Sequence, residues 1–148
     1  MTIDVMSSVP KDVDFWSQLE IELRAVQQIY SRIVEAYDLT VIEWQILREL
    51  MKQDCLPASK LAKRVGRVAT SFTPTIDKLQ IKRLVERRSD SNDRRVVCIQ
   101  LTSQGREMAP TLQSINHTIE KYMQARIRDT EAQLLQSILQ RMQTSHLP

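Results

Sequence analysis

The sequence predicts a mainly α protein with a small β-hairpin wing, and three observations carry that prediction. Long stretches repeat apolar residues every three or four positions, the period of a helix with one buried face. Only two glycines and five prolines interrupt 148 residues rich in Leu, Gln, Glu, Arg and Ile, so helices meet few breakers. One short stretch, Val96 to Leu101, alternates instead, and a polar run of Ser, Asp, Asn and Arg precedes it.

The elements follow in order. From Asp14 to Tyr37, Phe15, Leu19, Leu23, Val26, Tyr30, Ile33 and Tyr37 write one long amphipathic helix, with Trp16, Ile29 and Val34 widening its stripe. Thr40 and Glu43 form a capping box, so a second helix starts there and carries Val41, Trp44, Ile46, Leu47, Leu50 and Met51 until Asp54 and Pro57 close it. Pro57 and Ala58 open a short third helix, Ser59 to Val65, and Gly66 supplies a turn. A fourth helix begins near Thr70 or Ser71, because Pro74 belongs in a first turn, and runs to about Lys82 with Phe72, Ile76 and Leu79 inward. Leu84 to Arg88 and Val96 to Leu101 are strands around a long polar tip; Val97, Ile99 and Leu101 share one face, Cys98 and Gln100 the other. Thr102 caps a helix carrying Met108, Leu112, Ile115, Ile119 and Tyr122, in which Pro110 should bend the chain or shift the start. Asp129 or Thr130 caps the last helix, with Leu134, Leu135, Ile138, Leu139 and Met142.

Composition excludes several function classes. With Gly66 and Gly105 alone, no phosphate-cradling loop, dinucleotide fingerprint or nucleophile elbow can be written, so no enzyme is predicted. His117 and His146, without a Cys/His cluster, give no metal site, and no cofactor is expected. Cys55 and Cys98 lie far apart, without metal spacing and unlike a secreted disulfide framework; they read as structural or incidental, in a reduced cytoplasmic setting. Met1 to Val9 lacks a basic leader and no run approaches the roughly 20 apolar residues of a span, so no membrane partner is expected.

Charge points to the partner. Lys52 to Arg95 holds twelve basic residues against five acidic ones, a surplus of seven in a chain whose net charge is +3, so the remainder is net negative. A short helix, a glycine turn and a second helix opening on small polar residues make a helix-turn-helix. Thr70, Ser71, Thr73, Pro74, Thr75 and Lys78 are its outward face, suited to base edges of double-stranded DNA, and a tip arginine on the adjacent hairpin suits the narrow minor groove. Arg67, Lys82, Arg83, Arg88, Arg94 and Arg95 are the flanking cations for phosphate and wing contacts. A helical protein-interaction module whose basic face meets an acidic partner is the other reading. The first helix and the carboxy-terminal helices look like a dimerisation layer, although periodicity fits a monomeric core equally.

Element order and residues together resemble the MarR family of winged helix-turn-helix transcriptional regulators over nearly the whole chain. The specific stretches are Leu61-Ala62-Lys63-Arg64-Val65-Gly66, then Ile76-Asp77-Lys78-Leu79 with Leu84-Val85-Glu86-Arg87, then Asp93-Arg94-Arg95 leading to Leu101-Thr102-Ser103-Gln104-Gly105. The resemblance implies a homodimer on an inverted-repeat operator, acting as a repressor, with residues 1–39 and 103–148 as the helical dimerisation region and 40–102 as the DNA-binding domain. Asp93 and Arg95 match the family's Asp-Xaa-Arg wing signature, so Asp93 would brace the wing while Arg94 or Arg95 enters the minor groove. Where relatives often carry glycine after the recognition helix, this chain has Arg83, and a left-handed residue there would cost about 1 kcal/mol or more.

Many relatives release DNA on binding a small aromatic or phenolic acid between the dimer layer and the DNA-binding lobe. The corresponding wall residues here would be Trp16, Arg24, Tyr30, Trp44, Met108, Leu112 and His117. Against that, both tryptophans are as readily core residues, and Arg24 as readily pairs with a neighbouring Glu as with a ligand carboxylate. A DNA-binding regulator without an effector is the alternative. Some relatives sense oxidants through a cysteine early in the first helix, and none stands between Met1 and Asp54 here.

Overall fold

The computed structural model describes residues 13–144, and at 13, 69–71 and 144 the backbone only. Within them the order is α1 (Val13–Glu35), α2 (Val41–Lys52), β1 (Leu56–Pro57), α3 (Ala58–Arg64), α4 (Ala69–Ile81), β2 (Val85–Ser89), β3 (Val97–Leu101), α5 (Ser103–Arg106), α6 (Ala109–Gln124) and α7 (Asp129–Thr144).

Local sequence explains most boundaries. The Thr40 Oγ1 accepts the Glu43 amide at 3.2 Å while the Glu43 carboxylate accepts the Thr40 amide at 2.9 Å, which completes the expected capping box. Thr102 caps α5 through the Gly105 amide at 3.0 Å. Pro110 then sits at the second position of α6, so the expected single helix is split after Arg106. Glu131, in the first turn of α7, accepts the Arg128 guanidinium and, at 2.8 Å, its backbone amide. Those two bonds hold its carboxyl at about 2, below the usual 4.5.

Two expectations change. Helix α4 begins at Ala69, so Pro74 lies in its second turn, where it has no amide to give the Thr70 carbonyl; the buried face of Phe72, Ile76 and Leu79 keeps the helix running through it. The segment that closes the second helix and opens the third contains β1, a strand the sequence does not predict, and the sheet has three strands in the order β1-β3-β2, all antiparallel. Leu56 pairs with Ile99 and Pro57 with Cys98, while β2 runs beside β3 from Val85–Leu101 to Ser89–Val97.

That extra strand explains the cysteines. Cys55, one residue ahead of β1, meets Cys98 of β3 with their Cα atoms 5.6 Å apart, and the two form a disulfide. Cys98 is therefore buried although its face is not that of Ile99 and Leu101, whereas Val97, nearer the tip, is exposed.

The core lies where α2 crosses the sheet and α3, α4 and α6 close around it. Ile46, Leu47, Leu50, Leu56, Leu61, Leu79, Ile99 and Ile115 are fully buried, each worth about 1.5–3 kcal/mol of burial. Gly105 is required at the α5 contact, because a Cβ there would collide with the Leu84 carbonyl.

Candidate nucleic-acid interface

Helix α4 presents a divided surface. Phe72, Ile76 and Leu79 anchor it to the core at spacings of four and three, which leaves Thr73, Pro74 and Lys78 exposed and Thr75 half-buried. The side chains of Thr70 and Ser71 lie outside the described residues. Arg87 of β2 reaches back to the helix, donating to Asp77 at 2.8 Å and to Gln80. The wing is thereby tied to α4 by a pair whose members stand ten residues apart, which helical or strand periodicity does not reveal.

The end of α4 settles how Arg83 is accommodated. Its φ is +61°, so the left-handed geometry is kept without glycine. The Arg83 amide donates to the Gln80 carbonyl at 2.9 Å and the Leu84 amide to the Leu79 carbonyl at 3.0 Å, the paired closure of a Schellman turn. Thr102 then bonds the Arg83 carbonyl through Oγ1 at 2.6 Å and the Leu84 carbonyl through its amide at 3.1 Å.

The wing tip is closed by two aspartates. Asp93 accepts the Arg95 amide at 3.0 Å, and Asp90, which the sequence reading did not single out, accepts the Asn92 amide at 2.8 Å. Both are turns in which a short side chain mimics backbone; the Asp-Ser-Asn run was the available signal. The side chains of Arg94 and Arg95 are exposed at this tip.

The other cations separate by partner. Arg88 bonds Glu86 at 3.1 Å and, with Arg83 and Arg106, lines a cleft of 460 Å³ at the wing base. Lys82, placed among the phosphate contacts by the sequence, is held instead by Glu43 and the Asp38 carbonyl. Arg67 is exposed beside Gly66 and lines a 560 Å³ cleft with Gln27, Tyr30, Ser31 and Gln45, between α1, α2 and the α3–α4 turn.

Of the residues named as effector wall, only Tyr30 borders that cleft. Trp44 is a core residue, 4% exposed, its Nε1 donating to Asn116 at 3.1 Å and the Arg48 guanidinium 4.6 Å from its ring centre. Leu112 is buried and Met108 half-buried at the start of α6. Trp16 stands edge-on to Phe15, Arg24 pairs with Glu20 on the α1 surface, and His117 is exposed on α6. Period alone places these residues on helices without showing which of them the core buries and which stay at the surface. Among the described residues no three His, Cys, Asp or Glu side chains gather where a metal could sit, and no helix is long and apolar enough to cross a membrane.

Comparison with known proteins places this geometry. Residues 39–97 match the MarR family model. The HTH-type regulator YhbI of Bacillus subtilis (strain 168) is 32% identical over 82 residues, 55% of this chain, which spans about half of YhbI, 53%. Bordetella bronchiseptica BpsR, solved in a study of how 6-hydroxynicotinic acid regulates its DNA binding, superposes with a TM-score of 0.77 at 18% identity over 95% of this chain and 99% of that one. A cysteine-to-serine variant of MarR from E. coli complexed with operator DNA gives 0.75 at 18% identity, over 88% and 94%. The order α3, Gly66, α4 and wing is matched in sequence by the MarR family model over residues 39–97 and in fold by these structures, so this part of the chain is similar to the winged helix-turn-helix of the MarR family of transcriptional regulators.

Proposed function

We propose that this protein is a sequence-specific, DNA-binding transcriptional repressor that works as a homodimer on an inverted repeat. The observation that carries the reading is the divided surface of α4: an apolar side locked into the core, and an outer side of Thr73, Pro74, Thr75 and Lys78 beside an arginine-tipped wing. Small polar groups approach base edges closely, and Lys78, Arg83, Arg88 and the tip arginines supply phosphate and minor-groove contacts. Exposed apolar residues on α1 and α7 support a second copy as the partner that covers them.

The cleft beside Tyr30 supports a small aromatic acid as effector, with the ring for stacking and Arg67 for the carboxylate. Arg67 borders both this cleft and the turn ahead of α4, so an occupant there would act on the helix that meets DNA. The regulation of BpsR by an aromatic acid is in keeping with this class of effector.

Selection of duplexes from a random library by the purified protein, at about physiological salt, tests the reading. Enrichment of an inverted repeat with half-sites about one helical turn apart is the expected result. Weak binding indifferent to sequence would overturn it.

A further inference from the structure

Lys82 stands at the carboxy-terminal cap of α4, yet its ammonium points back into the protein. Nζ donates to Glu43 Oε2 at 3.0 Å and to the Asp38 carbonyl at 2.6 Å. Glu43 is 2% exposed, the one buried charged residue among those described, and the same Oε2 accepts the Thr40 amide at 2.9 Å. A carboxylate so placed needs its cation, because a buried charge left alone is costly.

The other end of the contact is equally constrained. Asp38 has φ +57°, and the closure of α1 through Asp38 to Glu35 and Leu39 to Val34 fixes where its carbonyl points. Next to it, the Tyr37 hydroxyl lies 3.3 Å from Ser114 Oγ of α6. One turn therefore joins α1, α2 and α6, and a single ammonium fastens the end of α4 to it.

We propose that Lys82 is a positioning residue for DNA reading: it locks the carboxy-terminal end of α4 to the α1–α2 turn and so sets the angle at which the outer face of α4 meets the duplex. This rests on α4 being the helix that enters the groove. A cation on phosphate would contribute to every duplex alike, whereas a latch contributes only where base edges are read.

Lys82→Met and Glu43→Gln separate the two roles, since Gln keeps an acceptor for the Thr40 amide. The probes are an inverted-repeat duplex selected by the wild-type protein and a scrambled duplex of equal length. Lys82→Met should bind the selected duplex about tenfold more weakly, in the range of one poorly read base pair. Its binding to the scrambled duplex and its slope of log affinity against log salt should be unchanged. Glu43→Gln, which removes the charge but keeps an acceptor, should shift the same ratio in the same direction by less, and the double variant should bind no more weakly than Lys82→Met, because the two changes act on one contact.

A slope reduced by about 0.9 with equal loss on both duplexes would instead put Lys82 on a phosphate. Lower thermal stability with an unchanged ratio would leave it a purely structural residue, and either result overturns the proposal. Should Lys82→Met not fold, Glu43→Gln decides by the same ratio. Lys78→Ala, on the outer face of α4, checks the underlying reading: no change in its affinity or slope would take α4 out of the groove, a failure distinct from that of the latch.

Discussion

Two regions of this chain are built from similar amphipathic helices and end differently. Between Leu39 and Leu101 the apolar faces close on one another, and Ile46, Leu47, Leu50, Leu61 and Ile99 see no solvent. On the flanks, Phe15, Trp16 and Leu23 of α1 and Leu134, Leu135 and Met142 of α7 stay between 44% and 64% exposed. Amphipathicity alone therefore does not say what an apolar face packs against. The lobe is stabilised within one chain; if, as proposed, a second copy covers the exposed faces of the flanks, the first should be indifferent to protein concentration and the second should follow it.

The disulfide should give the largest effect on the lobe. Cys55 and Cys98 are 43 residues apart and enclose α3, α4 and most of the wing. Closing a loop of that length is worth up to about 4 kcal/mol through the unfolded chain. Reductant should lower the unfolding free energy of the wild-type protein in urea by up to that amount and leave that of Cys98→Ala unmoved. If both respond alike, the bond is not what distinguishes the lobe.

A pair of leucines sharpens the contrast at the next scale. Leu50→Ala should cost about 3 kcal/mol, equally at every protein concentration, because it empties a site at the centre of the lobe. Leu135→Glu should cost a single folded chain about 0.5 kcal/mol or less, but sediment as a monomer whose melting temperature no longer rises with concentration. A Leu135→Glu protein that remains dimeric would remove α7 from the interface.

What the sequence made legible was local. The capping box at Thr40 and Glu43, the break at Pro110 and the buried face of α4 each depend on residues within one or two turns. The missing pieces depend on partners distant in sequence. Strand β1 is two residues long and exists only because Ile99 and Cys98 lie opposite it. The charge of Lys82 was legible, but its partner Glu43, 39 residues away, was not. Trp44 shows the same limit: its residue type suits a core or a pocket, and only the placement of Asn116 and Arg48 against it decides.

The smallest effect concerns a single backbone angle. Helices α1, α3 and α4 end in the same closure, with Asp38, Gly66 and Arg83 at φ of 57°, 66° and 61°. A side chain in that conformation costs roughly 1–2 kcal/mol, while glycine gives back about 0.4–1 kcal/mol through the greater freedom of its unfolded chain. Arg83→Gly should therefore stabilise the lobe by up to about 1 kcal/mol in urea unfolding, with no dependence on protein concentration. Arg83→Ala removes the same guanidinium and keeps the strain, so it should leave stability unchanged. If both variants gain equally, the guanidinium and not the backbone is the source of strain, and the bonds from Thr102 already relieve the turn. If only glycine gains, the lobe carries a defect at the end of α4 that its core is stable enough to hold, a margin the exposed flanks of a single chain do not have.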